Sequence, residues 1–112
     1  MKSLRKTIRQ ILLENKQQYE KILELIFTGD VENINQAVEL AEAMGYISDM
    51  NYTGPVESYY FPEIKHDWTF AASKDFMYAV GEQPEELFNR EGFDFRSPNF
   101  RDVTISVRIK TP

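Results

Sequence analysis

Hydrophobic positions in this chain follow two different periods. Leu4, Ile8, Ile11, Leu12, Tyr19, Ile22, Leu23 and Ile26 recur roughly every 3.6 residues, which predicts one long helix over residues 2–28. The polar run at 15–18 weakens that stripe and allows a kink or break. Asn15 on the stripe favours packing on the domain's own core over a long coiled-coil seam. At the other end, Val103, Ile105, Val107 and Ile109 alternate with Thr104, Ser106, Arg108 and Lys110, the pattern of a half-buried strand. Phe93 and Phe95 alternate with Asp94 and Arg96 in the same way, and Ser97, Pro98 and Asn99 can turn the chain between the two runs. The result is a predicted β-hairpin with one apolar face and one basic or polar face. All four of Val103, Ile105, Val107 and Ile109 are expected to point into the core.

Residues 22–46 organise the rest. Ile22, Leu23, Leu25, Ile26 and Phe27 lead into Gly29, which tolerates the left-handed conformation that closes a helix. Asp30 then offers an oxygen to the free amides of a second helix, with Asn33 and Gln36 as an alternative cap. Ile34, Val38, Ala41 and Gly45 form the buried stripe of that helix, and Gly45 stops it. So short a connection predicts two antiparallel neighbours. The pattern L-I-F-T-G-D-x-x-N-I-x-x-A-x-x-L-A-E-x-x-G resembles a helix-turn-helix unit of assorted bacterial and phage proteins of unknown function. The opening MKSLRKTIRQILLEN is similar to the starts of small marine phage proteins. The resemblance spans about the first 47 residues and implies no catalytic or binding residue.

The middle of the chain is less regular. Residues 48–55 read as a loop, with Thr53-Gly54-Pro55 as its turn signal. Tyr59, Tyr60 and Phe61 suggest a short strand that Pro62 ends or holds at an edge. Residues 63–69 are ambiguous. Ser73 is placed to cap a short helix holding Phe76, Met77, Tyr78 and Val80, closed by Gly81. Pro84 suits the first position of another helix, Glu85 and Glu86 suit its positive end, and Gly92 ends it. The expected class is therefore α+β: an N-terminal antiparallel helical hairpin, one or two short helices and a C-terminal antiparallel β-hairpin. A winged-helix-like arrangement is the alternative. A length of 112 residues implies a single domain, residues 1–112, with one real core.

Composition narrows the function classes. Without cysteine there are no disulfides and no thiolate zinc sites. No apolar run approaches the roughly 20 residues that span a bilayer, and the N-terminus is not a signal peptide. A soluble, cytoplasmic protein is expected, without a membrane partner. The net charge of −5 is uneven: +4 over residues 1–9, −11 over 10–89 and +2 over 90–112. Lys2, Arg5, Lys6 and Arg9 fall on one helical stripe, which is expected to contact protein acids.

Few residues suggest chemistry. Glu63, His66 and Asp67 lie close enough in sequence to bind a metal or pass a proton, but one histidine without a thiol matches no metal motif, and ordinary polarity explains them. There is no glycine-rich phosphate loop and no nucleophile elbow. No cofactor, metal or catalytic residue is assigned. The aromatic residues between Tyr46 and Tyr78 either fill the core or line a binding surface; of the adjacent Tyr59 and Tyr60, one would face outward on a strand. The expected function is a non-catalytic protein-interaction or assembly module, with a homodimer among its possible forms. The interaction residues are Lys2, Arg5, Lys6, Arg9, Tyr59, Tyr60, Arg96, Arg101, Arg108 and Lys110. The alternative is winged-helix-like nucleic-acid binding, with Arg96, Arg101, Arg108 and Lys110 on or near the wing. An enzyme or small-ligand binder built on the aromatic region is the third reading.

Overall fold

The computed structural model describes residues 17–57, 62–88, 90–97 and 101–110. The expectations for the apolar stripe from Leu4 to Leu12, the strand at Tyr59, Tyr60 and Phe61, and the turn at Pro98 and Asn99 lie outside the described residues. Among the described residues the elements run α1 (17–27), α2 (Val31–Ala43), β1 (Ile47–Glu57), β2 (Glu63–Ala72), α3 (Lys74–Gly81), a 3-10 turn (Glu85–Leu87), β3 (Phe93–Arg96) and β4 (Asp102–Lys110). The class is α+β, with two leading helices and an antiparallel sheet in the order β1-β2-β4-β3.

The turn between α1 and α2 is built from local hydrogen bonds. Thr28 Oγ1 donates to the Leu25 carbonyl at 2.6 Å and accepts from Asp30 N and Asn33 Nδ2. Gly29 turns the chain with φ 71°, and Asp30 caps α2 by accepting from the amides of Glu32 and Asn33. Losing such a cap costs about 1 kcal/mol. At the far end of α2, Tyr46 N donates to the Ala41 carbonyl and Gly45 N to that of Glu42, with Gly45 at φ 77°. This is the paired closure that left-handed glycine permits. Ser73 Oγ caps α3 by accepting from Phe76 N, while Glu82 rather than Gly81 follows its last turn. Pro84 sits one residue ahead of the 3-10 turn instead of inside it.

Alternation along the strands sorts side chains onto two faces. On the inner face, Trp68, Phe70 and Ala72 of β2 lie beside Val103, Ile105 and Val107 of β4 and Phe93 and Phe95 of β3. Ile22, Leu23, Ile26 and Phe27 of α1 and Ile34, Ala37, Val38 and Ala41 of α2 join them in one buried cluster, with Phe76 and Val80 of α3. The Phe27 ring packs at 5.2–6.0 Å from the rings of Phe88, Phe93 and Phe95. Trp68 is fully buried, and its indole N–H donates to Asn35 Oδ1 at 2.8 Å. Without that acceptor a buried donor would cost about 1–3 kcal/mol.

Two further expectations change. Residues 48–55 are strand, not loop. β1 buries only Ile47 and shifts register between Ser48 and Asn51 and again between Thr53 and Val56, so it lacks the alternation that marks a half-buried strand. It stays in the sheet through pairing with β2 and a close approach at Gly54. A Cβ on Gly54 would stand 3.0 Å from the Lys65 carbonyl oxygen and 3.1 Å from His66 Cα. Ile109 is the second correction: it is 46% exposed. β3 begins at Phe93, opposite Val107, so Ile109 projects past the covered part of the sheet.

Candidate interaction surface

The strand fold separates the residues that looked most like chemistry. Glu63, His66 and Asp67 all lie on β2, but successive side chains point to opposite faces. His66 goes inward and is buried, while Glu63 and Asp67 go outward with Lys110 and Ser106 as their register partners. No histidine–aspartate relay forms. His66 Nδ1 instead shares a 2.6 Å hydrogen bond with the Tyr52 hydroxyl, and its ring stacks with those of Tyr52 and Trp68. Among the described residues no group of three potential ligands is placed to hold a metal ion.

The aromatic stretch divides in the same way. Trp68, Phe70 and Phe76 are core. Tyr52 lies at the margin, its ring 5.1 Å from that of Trp68. Tyr46 packs 4.3 Å from Tyr19 and donates its hydroxyl to Gln18 Oε1 at 2.8 Å. Burial raises the phenol pKa of both above its usual value. For Tyr19 the charges of Tyr46 and Asp75 add to the effect. Tyr78, at 61% exposure, projects from α3 into solvent. Tyr59 and Tyr60 lie outside the described residues.

What the sheet does assemble is an open outer face. Lys65, Asp67 and Thr69 of β2 align with Arg108, Ser106 and Thr104 of β4, and the last two align with Asp94 and Arg96 of β3. Thr53 of β1 extends the row at Asp67. The face is not basic. Its register positions hold the cations Lys65, Arg96, Arg108 and Lys110 and the anions Glu63, Asp67, Asp94 and Asp102, four of each. Arg96 Nε lies 2.6 Å from Asp94 Oδ2, and Lys65 Nζ lies 3.3 Å from Asp67 Oδ2. Lys110 Nζ is 3.8 Å from Glu91. Asp67 Oδ1 is occluded without a hydrogen-bond partner among the described residues.

Arg96, Arg108 and Lys110 therefore share this face, as their alternation predicted. Arg101 does not belong to it: it is exposed just ahead of β4 and presents its carbonyl to Ala72 N. Lys2, Arg5, Lys6 and Arg9 lie outside the described residues. The acids Asp67 and Asp94 were not among the interaction residues expected from the sequence, where Asp67 stood only as a candidate for chemistry. Their signal was local: Lys65 and Asp67, like Asp94 and Arg96, stand two apart on one strand and pair there, while strand pairing adds Arg108 and Lys110 to the same face. An open groove of about 990 Å³ borders the face, lined by Thr28, Gly29 and Phe93 and by both Glu63 and Glu91 and Arg90, Arg108 and Lys110. It too carries both signs of charge. No helix among the described residues is long and apolar enough to cross a membrane. No protein-family model matches the chain, and neither a curated protein nor a solved structure is significantly similar to it.

Proposed function

We propose that the chain is a non-catalytic protein-interaction or assembly module that docks through the outer face and free edge of its sheet. One observation carries this reading: the open face holds equal numbers of cations and anions, interleaved at neighbouring register positions. Such a face matches the mixed polar surface of another protein, where each charge finds a specific partner. It suits a phosphate backbone poorly, because every cation there would bring an anion toward the phosphates.

Nucleic-acid binding by a winged-helix-like domain draws less support. α2 carries Glu32, Glu39 and Glu42 and no cation, and α3 carries Lys74 alone. The wing arginine Arg96 is held against Asp94.

Fluorescence anisotropy with a labelled DNA duplex and a labelled single strand, at about 50 mM salt, tests the choice. No saturable binding is expected. Binding that weakens steeply and log-linearly with salt would overturn the protein-interaction reading.

A further inference from the structure

We propose that two copies of this chain pair β3 against β3 about a two-fold axis at Phe95, joining their sheets into one. The proposal rests on the assembly reading and names its partner and its seam. The backbone sets the geometry. Arg108 N donates to the Gly92 carbonyl at 2.7 Å, and the β3–β4 register runs without a shift from Phe93↔Val107 to Arg96↔Thr104. In an antiparallel ladder, hydrogen-bonded and non-bonded pairs alternate. Asp94 and Arg96 therefore turn their amides and carbonyls toward β4, and Phe95 turns both of its groups away from it. Among the described residues no strand lies beyond β3, and no hydrogen bond reaches the Phe95 amide or carbonyl. Those two groups are the donor and acceptor that a two-fold antiparallel pairing needs, each Phe95 bonding the other.

The side chains select the same register. With Phe95 opposite itself, Asp94 of each copy faces Arg96 of the other, twice across the axis. These are non-bonded positions, where Cα atoms approach to about 4.5 Å and side chains are closest. Moving the axis to residue 94 or 96 would place Asp94 opposite Asp94, or Arg96 opposite Arg96. Side-chain exposures of 77% for Arg96 and 27% for Asp94 leave this pair, now closed within one chain, able to exchange partners.

The opposite edge of the sheet is unsuited to this. β1 shifts register twice, carries Asp49 at φ 54° and lacks an amide hydrogen at Pro55, devices that keep edges from pairing. β3 has the regular backbone that β1 lacks, but only four residues of it, so the dimer is weak and concentration-dependent.

Sedimentation equilibrium on the full chain, up to about 1 mM, reads the association. Wild type is expected to dimerise. Arg96→Asp and Asp94→Arg, which each place like charges across the axis, are expected to weaken the dimer at least roughly tenfold. The double exchange Asp94→Arg with Arg96→Asp restores the attraction and is expected to recover the wild-type constant. Melting temperatures of the dilute proteins serve as the folding control. A monomer throughout the concentration range overturns the proposal. A dimer indifferent to both single changes, or one that the double exchange fails to rescue, overturns the β3 seam and leaves the assembly reading standing. Salt-dependent nucleic-acid binding is the separate result that would remove that reading.

Discussion

The two outer strands of one sheet, with the neighbours they lean on, are held in different ways. β4 and β3 are fixed by what they bury: Val103, Ile105, Val107, Phe93 and Phe95 all reach the core. β1, the longest strand among the described residues, buries Ile47 alone and is fixed by backbone pairing to β2, by Tyr52 reaching His66 and Trp68, and by the close passage of Gly54 over Lys65 and His66. Strand formation and hydrophobic alternation are thus separate properties. Alternation records that one face is covered, and a strand whose neighbours supply the cover does not need it.

The contrast breaks first, if it breaks, at the centre of β4. Ile105 is fully buried, between Trp68 and Phe95 in the register. Ile105→Ala should lower unfolding stability by about 2–5 kcal/mol, as removal of a buried aliphatic group does. Ser106→Ala, on the outer face, should change it by less than about 0.5 kcal/mol. Denaturant titration measures both, and equal effects would mean that burial does not hold this strand.

On β1 the sensitive position should be a backbone position. Gly54 combines φ 153° with no room for a Cβ, since the nearest atoms belong to the β2 backbone. Gly54→Ala should cost about 1–3 kcal/mol, the scale of a strained residue held in place. Asn51→Ala, exposed on the same strand, should cost little. If thermal melts rank these two the other way, β1 is held by its side chains after all.

The smallest effect sharpens the comparison where β1 leaves the helices. Tyr46 ties that point to Gln18 through its hydroxyl and to Ser73 through its carbonyl. Folding raises the phenol pKa of Tyr19 and Tyr46, so the folded state holds their protons more tightly than the unfolded chain. The stability this gives is complete below the unfolded tyrosine value of about 10 and is lost as pH rises through the folded values. Melting temperature should be flat as pH approaches about 10 from below and fall above it. In Tyr19→Phe the fall should be shallower, because one of the two shifted groups is gone. An identical alkaline slope would place the loss elsewhere.

Much of this molecule is legible in its residues because the signals are local. Thr28, Gly29 and Asp30 specify the turn between α1 and α2 through bonds that span no more than five residues. Gly45 ends α2 and Ser73 starts α3 for similar reasons. The alternation at 93–96 and 103–107 gave the two strands and their inner faces. The sequence alone also determined that Arg96, Arg108 and Lys110 point one way, since a period of two admits no other arrangement.

Tertiary structure decided what stands beside them. β1 is a strand because β2 lies next to it, and nothing in residues 48–55 announces that neighbour. His66 and Asp67 are adjacent in the chain yet lie on opposite faces, so the apparent acid–base pair dissolves. Asp67 and Asp94 come from different strands and stand on either side of Ser106 in the register. Two ion pairs of this face, Lys65 with Asp67 and Asp94 with Arg96, are local, but how Glu63, Asp102, Arg108 and Lys110 join them depends on which strands pair and in what register. That choice is made by long-range contacts, whose partners a local pattern does not contain.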